Sequence, residues 1–469
     1  MRKTLLLLGW LLMGSLAMAV RTDHVNAGAK ITFNVQGLPD GYCRIIGMIG
    51  NQNYLLDSIK ASGGTATLVR NEPLDGGLYY FVFPDQVTFI QFLVDKEQEF
   101  TMKTNKASLI ERMQVSGSTD NKLFYESLRF EQEFQQRYDS VTKAMEKIPG
   151  SSPSKPYLNI LKDKLLNSRK DQVQKYAKEY PNSFFTFFKV AGQNPELQRP
   201  QRPGGGLDTL KQLYLYRQSY WKNTPLDDER LLRTPVIYNK LNTFIKKLTP
   251  QVPDSIIKYA DYVIDRSLKC KECFKFITNW IAIEYEKPKI LGGDAILVHI
   301  VDKYFTDELA FWYAETPKEL NKIRRKVNEM RPSLIGNTGQ DLACRNVNGQ
   351  VENLYSLKTP YKILFMYSYS CHHCQERAPV LREVFDQMKG IIDVYALCLD
   401  PEEDRWREFI NKYNIQPFHN VIDPNMDSRY YRKYHVDVTP ELYILDQNNR
   451  IIAKDLHPNQ VADIIAKNK

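Results

Sequence analysis

From Ala29 to about Lys106 the chain alternates with a period of two: Ile31, Phe33 and Val35 are apolar, and Thr32, Asn34 and Gln36 between them are polar. Pro39-Asp40-Gly41 reads as a turn, and the runs Tyr79 to Phe83 and Val87 to Val94 are split by Pro84-Asp85-Gln86. Short, punctuated strands of this kind predict a small antiparallel β-sandwich. The period changes at Gly117-Ser118-Thr119-Asp120. From there Phe124, Leu128, Phe134, Tyr138, Val141, Met145 and Ile148 recur mostly at steps of three and four, predicting one long amphipathic helix interrupted by Glu131. Helical patterns continue over 157–180, 207–221, 235–248, 254–269, 274–285 and 294–304, with 198–206 (Gln-Arg-Pro-Gln-Arg-Pro-Gly-Gly-Gly) reading as a flexible linker or exposed loop. Past Arg331 strands and helices alternate: strand 361–367, helix 378–388, strand 391–397, helix from about 402 to 413, strand 441–446, a turn at Gln447-Asn448-Asn449, strand 450–454 and a final helix.

A chain of 469 residues is long enough for about three domains. The pattern places a sandwich at 28–113, an all-helical domain at 114–330 and an α/β domain at 331–469. Ahead of these, Met1-Arg2-Lys3, the apolar run from Thr4 to Leu16 and the Ala17-Met18-Ala19 site read as a secretory signal peptide over 1–19. The run is shorter than the roughly 20 residues a membrane span needs, and no cysteine closely follows it, so an exported protein without lipid anchor or integral membrane segment is expected. Without the leader, 62 basic residues face 55 acidic ones, scattered and without a basic stripe, which argues against a nucleic-acid partner.

Seven cysteines are an odd set for an exported chain, so at least one thiol is free or exchangeable, and they are too sparse for a disulfide-stapled scaffold. Two pairs have C-x-x-C spacing. Cys371-His372-His373-Cys374 lies between a strand and a helix, where helix N–H groups stabilise a thiolate on the first cysteine. Disulfide exchange needs a nucleophilic thiolate and a second thiol to resolve the mixed disulfide, which makes Cys371 the nucleophile and Cys374, one turn further in, the resolver. A static disulfide or half of a zinc site is the alternative, although no second ligand pair lies nearby in sequence. His372 and His373 can favour the Cys371 thiolate. Cys270 and Cys273 fall in a helical stretch and read as a helix-constrained disulfide or a second redox pair. Cys344 and Cys398 lie on expected strands as buried thiols.

The order of elements around the motif carries a resemblance. Pro379 stands eight residues after Cys371, and Val438-Thr439-Pro440 directly precedes Glu441-Leu442-Tyr443-Ile444-Leu445 before a turn, a last strand and a helix. Roughly Arg331 to Lys469 resembles a thioredoxin-like domain of the TlpA/ResA-like kind, and the sandwich looks like the β domain that often precedes one. The resemblance implies a redox-active Cys371–Cys374 disulfide, a cis proline at Pro440 facing it, and Thr439 with Pro440 as the platform for an extended substrate segment. It implies a periplasmic thiol-disulfide oxidoreductase of a Gram-negative bacterium acting on protein cysteines, in the reductase or isomerase direction, fed by a membrane electron donor and needing no cofactor or metal. Two positions depart from the family pattern. Phe365 stands where thioredoxin has a buried Asp and Arg377 where relatives often have Glu, leaving Glu376 as a substitute carboxylate. Competing readings are a cell-envelope binding protein with a thioredoxin-like docking domain, and a thiol peroxidase. The peroxidase pattern P-x-x-x-T-x-x-C finds Ser368 at its second place but Leu364 at its first.

Overall fold

The structure is a computed structural model that describes residues 28–149 and 152–468; the leader assigned to 1–19 lies outside them. The chain divides into two compact units, one taking the described residues up to Thr249 together with Val263–Ile277, the other Pro250–Tyr262 and the residues from Thr278 on.

In the first unit, β1 (Lys30–Gln36), β2 (Gly41–Ile49), β3 (Gln52–Ala61), β4 (Thr65–Val69), β5 (Gly77–Val82), β6 (Phe89–Val94), β7 (Glu99–Asn105) and β8 (Gln114–Ser116) form two four-stranded sheets, ordered β4-β1-β7-β8 and β3-β2-β5-β6. The alternation of β1 buries Ile31, Phe33 and Val35, and Phe33 stacks on Phe81 with ring centroids 4.1 Å apart. All pairings are antiparallel except β1 with β7, which is parallel. Helix α1 (Thr119–Glu146) starts at Ser118, whose hydroxyl accepts from the Asn121 N–H. The break expected at Glu131 does not occur. Glutamate is a good helix former, and here its carboxylate pairs with Arg169 at 2.9 Å and Lys189 at 3.3 Å. Helices α2 (Lys155–Glu179), α3 (Phe184–Ala191), α4 (Thr209–Ser219), α5 (Glu229–Leu232) and α6 (Pro235–Thr243) follow; α7 (Pro253–Ser267) and α8 (Lys271–Glu284) are each divided between the two units.

The second unit carries α9 (Asp294–Tyr304) and α10 (Pro317–Met330) and then a seven-stranded sheet ordered β10-β9-β13-β12-β11-β14-β15. Its strands are β9 (Ala343–Asn346), β10 (Val351–Asn353), β11 (Tyr361–Tyr367), β12 (Ile392–Cys398), β13 (His419–Ile422), β14 (Glu441–Leu445) and β15 (Ile451–Lys454); the helices among them are α11 (His372–Gln387), α12 (Glu403–Lys412), α13 (Tyr430–Lys433) and α14 (Val461–Lys467). The interior strand β11 is parallel to β12 and antiparallel to β14. Ile363, Phe365 and Tyr367 join one core with Leu381 and Phe409, whereas Leu364 and Met366 join a second with Tyr395 and Tyr443. A strand buried on both faces reads as a continuous apolar run, which is the pattern of Ile363 to Tyr367. Because β14 runs antiparallel with Met366 opposite Glu441, the end of β11 lies beside the residues that enter β14. That adjacency builds the site.

Candidate redox site

Ser368-Tyr369-Ser370 leaves β11, and Cys371 caps α11 at φ −79°, ψ 122°. Its carbonyl accepts from the Cys374 and Gln375 N–H groups, each at 3.1 Å. The helix continues through Pro379. Cys371 is half-buried, Cys374 is fully buried one turn on, and both are free thiols. From the other side comes Thr439-Pro440, whose peptide bond is cis, and the Cys371 Sγ–H donates to the Thr439 carbonyl at 3.2 Å.

The two thiols differ in acidity for identifiable reasons. Burial opposes the Cys371 thiolate, but hydrogen bonds from the Thr439 side chain, the Cys374 thiol and the Cys374 and His373 amides outweigh it and lower the pKa. Cys374 moves the opposite way. Burial pushes it up to about 12, with the neighbouring Cys371 adding to the rise and the Ser368 amide pulling against it. Cys371 therefore ionises first while Cys374 keeps its proton, the division of labour an exchange reaction uses.

His372, His373 and Glu376 come together at the surface. The His372 Nε2 lies 3.2 Å from one Glu376 oxygen and the His373 Nδ1 3.1 Å from the other. The bond from His373, followed by the charge of His372, holds Glu376 below the usual carboxylate range. Phe365 is buried without polar function, as its sequence position implied.

Sequence reasoning missed Asp400. Its Oδ2 accepts from the Ser368 hydroxyl at 2.7 Å and from the Tyr369 N–H at 2.8 Å. A carboxylate two residues beyond the carboxyl end of a parallel strand is where α/β sheets build their sites, and that position was the available signal. Also missed was the buried Tyr367, whose hydroxyl oxygen accepts from the Trp406 Nε1–H at 3.1 Å. Its pKa is raised well above the usual value by burial, with Cys398 and Cys374 adding to the rise.

Of the remaining cysteines, Cys43 is a buried free thiol on β2. Cys270 and Cys273 form a disulfide at the start of α8. Cys344 and Cys398 lie on β9 and β12, where burial pushes their thiols up to about 11 and about 12. Among the described residues no group of three or more His, Cys, Asp and Glu is placed to hold a metal ion, and no helix is long and apolar enough to cross a membrane.

Residues 360–451 match a family described as thioredoxin-like. The chain is 30% identical to the domain of a possible thiol-disulfide isomerase from Cytophaga hutchinsonii, a match covering 29% of this chain and 94% of that one, with a TM-score of 0.28. A thioredoxin-like protein from Bacteroides caccae is 18% identical over 59% of this chain and 100% of its own, with a TM-score of 0.45. A thiol:disulfide interchange protein from a Bacteroides species is 18% identical over 29% of this chain and 90% of its own, with a TM-score of 0.28. No curated protein matches the chain.

Proposed function

This chain belongs to the thioredoxin-like thiol-disulfide oxidoreductases, and from that membership we propose that it exchanges disulfides with protein cysteines through Cys371 and Cys374. The observation that carries the assignment is the placement of a half-buried Cys371 sulfur at the start of α11, 3.2 Å from the carbonyl that precedes Pro440. In the reductive direction the Cys371 thiolate attacks a substrate disulfide, forming a Cys371–substrate bond and releasing one substrate thiolate. Cys374 then attacks the Cys371 sulfur, expels the second substrate thiolate and leaves the enzyme oxidised by two electrons. Thr439 and Pro440 form the platform on which the substrate backbone lies, and His372, His373 and Glu376 form its polar rim.

The reductase or isomerase direction, with a membrane electron donor returning the pair to dithiols, is supported by the TlpA/ResA-like pattern. Export to the periplasm of a Gram-negative bacterium is supported by the leader-like residues 1–19. We assign the chemistry to 331–469, which holds Cys371, Cys374, Thr439 and Pro440.

The test is a Cys374→Ser variant expressed in the exported compartment. It should accumulate as mixed disulfides with cysteine-containing proteins through Cys371, while Cys371→Ser loses insulin reduction. Equal insulin reduction by Cys371→Ser and wild type would remove the assignment.

A further inference from the structure

We propose that Cys270 and Cys273 are a second redox pair, a disulfide that small thiols open and close, with Cys270 as the sulfur they attack. The proposal goes beyond the exchange assigned to Cys371 and Cys374 and uses no residue of that site.

The two pairs share a local design. Cys270 directly precedes α8 as Cys371 precedes α11, and its carbonyl accepts the Phe274 N–H at 2.9 Å, which opens the helix. The Cys273 N–H donates to the Cys270 sulfur at 3.1 Å. A helix start with an amide already on the sulfur stabilises a thiolate there. The surrounding sequence is basic: from 269 to 275 it carries Lys269, Lys271 and Lys275 against Glu272. Burial is graded in the same sense as in the first pair, with Cys270 8% exposed and Cys273 0%.

A structural staple is the competing reading, and the fold leaves it little to do. The cysteines are three positions apart, and so short a loop constrains the unfolded chain least. The helical bond from Phe274 to Cys270 keeps them one turn apart whether or not the sulfurs are joined. Further along α8, the Phe276 ring packs so closely on Gly50, at the turn after β2, that a Cβ there would lie 2.0 Å from it. The helix is anchored by packing, so reduction can leave the fold standing.

Exposure decides the partner. A sulfur this covered admits a thiol of glutathione's size, whereas a folded protein's cysteine needs a surface to dock on. In reduction a small thiolate attacks the Cys270 sulfur, the Cys270–Cys273 bond breaks, and Cys273 leaves and takes up a proton. A second small thiolate attacks the bound one, forming the small disulfide and releasing Cys270 as a thiolate onto the Cys273 N–H. Two small thiols are oxidised and the pair gains two electrons; the small disulfide reverses both steps.

The experiment uses the full chain carrying Cys371→Ser and Cys374→Ser, so the first pair contributes nothing and its assignment is not at stake. The protein is held in excess reduced glutathione under native conditions, quenched with an alkylating agent and peptide-mapped. Both Cys270 and Cys273 should be alkylated with near-UV circular dichroism unchanged, and oxidised glutathione should restore the disulfide. With limiting reagent the first alkylation should fall on Cys270, about tenfold ahead of Cys273. Adding Cys273→Ser should let oxidised glutathione leave an adduct on Cys270. Structural disulfides resist the glutathione pool, so a bond that survives glutathione and opens only in denaturant with dithiothreitol overturns the proposal. Reduction that abolishes the dichroism, first alkylation at Cys273, or a folded Cys273→Ser chain without the adduct overturns it as well. Should Cys273→Ser fail to fold, the reduction and alkylation results decide alone.

Discussion

Lys454 and Asp294 form an ion pair at 2.7 Å with side chains only 4% and 7% exposed, joining β15 to the first turn of α9. At that distance the attraction is about 6 kcal/mol with an effective dielectric near 20. Taking each ion out of water costs several kcal/mol, so the intact pair is close to neutral for stability. Breaking it is another matter. Asp294→Leu leaves the Lys454 ammonium buried, with the Ser333 hydroxyl at 3.5 Å, the Tyr443 ring at 5.6 Å and the Glu441 carboxyl as its neighbours. The expected loss is about 3–5 kcal/mol. At roughly 2–4 °C per kcal/mol for a unit of this size, the melting transition should fall by ~6–20 °C. Lys454→Met should cost a similar amount, because it strands the carboxylate instead. The double variant Asp294→Leu/Lys454→Met removes both charges and should come back to within about 1 kcal/mol of wild type, or exceed it. The assay is urea and thermal unfolding of the four proteins as a double-mutant cycle. Single variants that each cost under about 1 kcal/mol and simply add in the double would refute the argument, since they would mean that water reaches the pair.

Two further outcomes follow from the titrating groups. With its pKa lowered, Cys371 should be alkylated first in the reduced protein, the reaction strengthening as pH rises toward 8, while Cys374, pushed up to about 12, stays unmodified in the native fold; peptide mapping of singly alkylated protein checks this, and preferential labelling of Cys374 contradicts it. Glu441 is held protonated far above the usual carboxylate range, first by burial and then by its hydrogen bond with Asp455. The folded state thus keeps a proton that the unfolded state loses above the ordinary value of 4.5, so this group's contribution is fully present below pH 4.5 and is lost steadily as pH rises toward about 10. Glu441→Gln keeps the neutral shape and should flatten the fall in melting temperature between pH 5 and 9; parallel curves for the two proteins would dismiss the idea.

The parts of the site that were legible in the sequence are the parts built from near neighbours. Cys371 and Cys374 sit one turn apart, and Thr439-Pro440 announces itself by abutting a strand of five apolar or buried residues. The alternation of β1 is equally local. Asp400 was not legible, because an aspartate after a strand is common and its partners are more than 30 residues away. The parallel pairing of β1 with β7 depends on register across the whole sandwich, and neither strand's own pattern encodes it. The strand β10 is three residues long and mostly polar, too short for any periodicity. At Glu131 a charged residue on a helical stripe looked like a break, whereas the helix only needed partners for it, which α2 and α3 supply.

The hydrogen bond between Cys371 and Thr439 spans 68 residues of chain. For biogenesis this imposes an order of events. A growing polypeptide presents Cys371 and Cys374 long before β14 exists, so for that interval neither the Thr439 contact nor the strand pairing that delivers it is in place. Cys398 emerges in the same interval, and loops of that length close at little entropic cost. The thiol that the finished enzyme protects and sharpens is therefore an unguarded one during synthesis, and pairing of β11 with β14 marks the moment at which a cysteine at risk of wrong partners becomes a selective one.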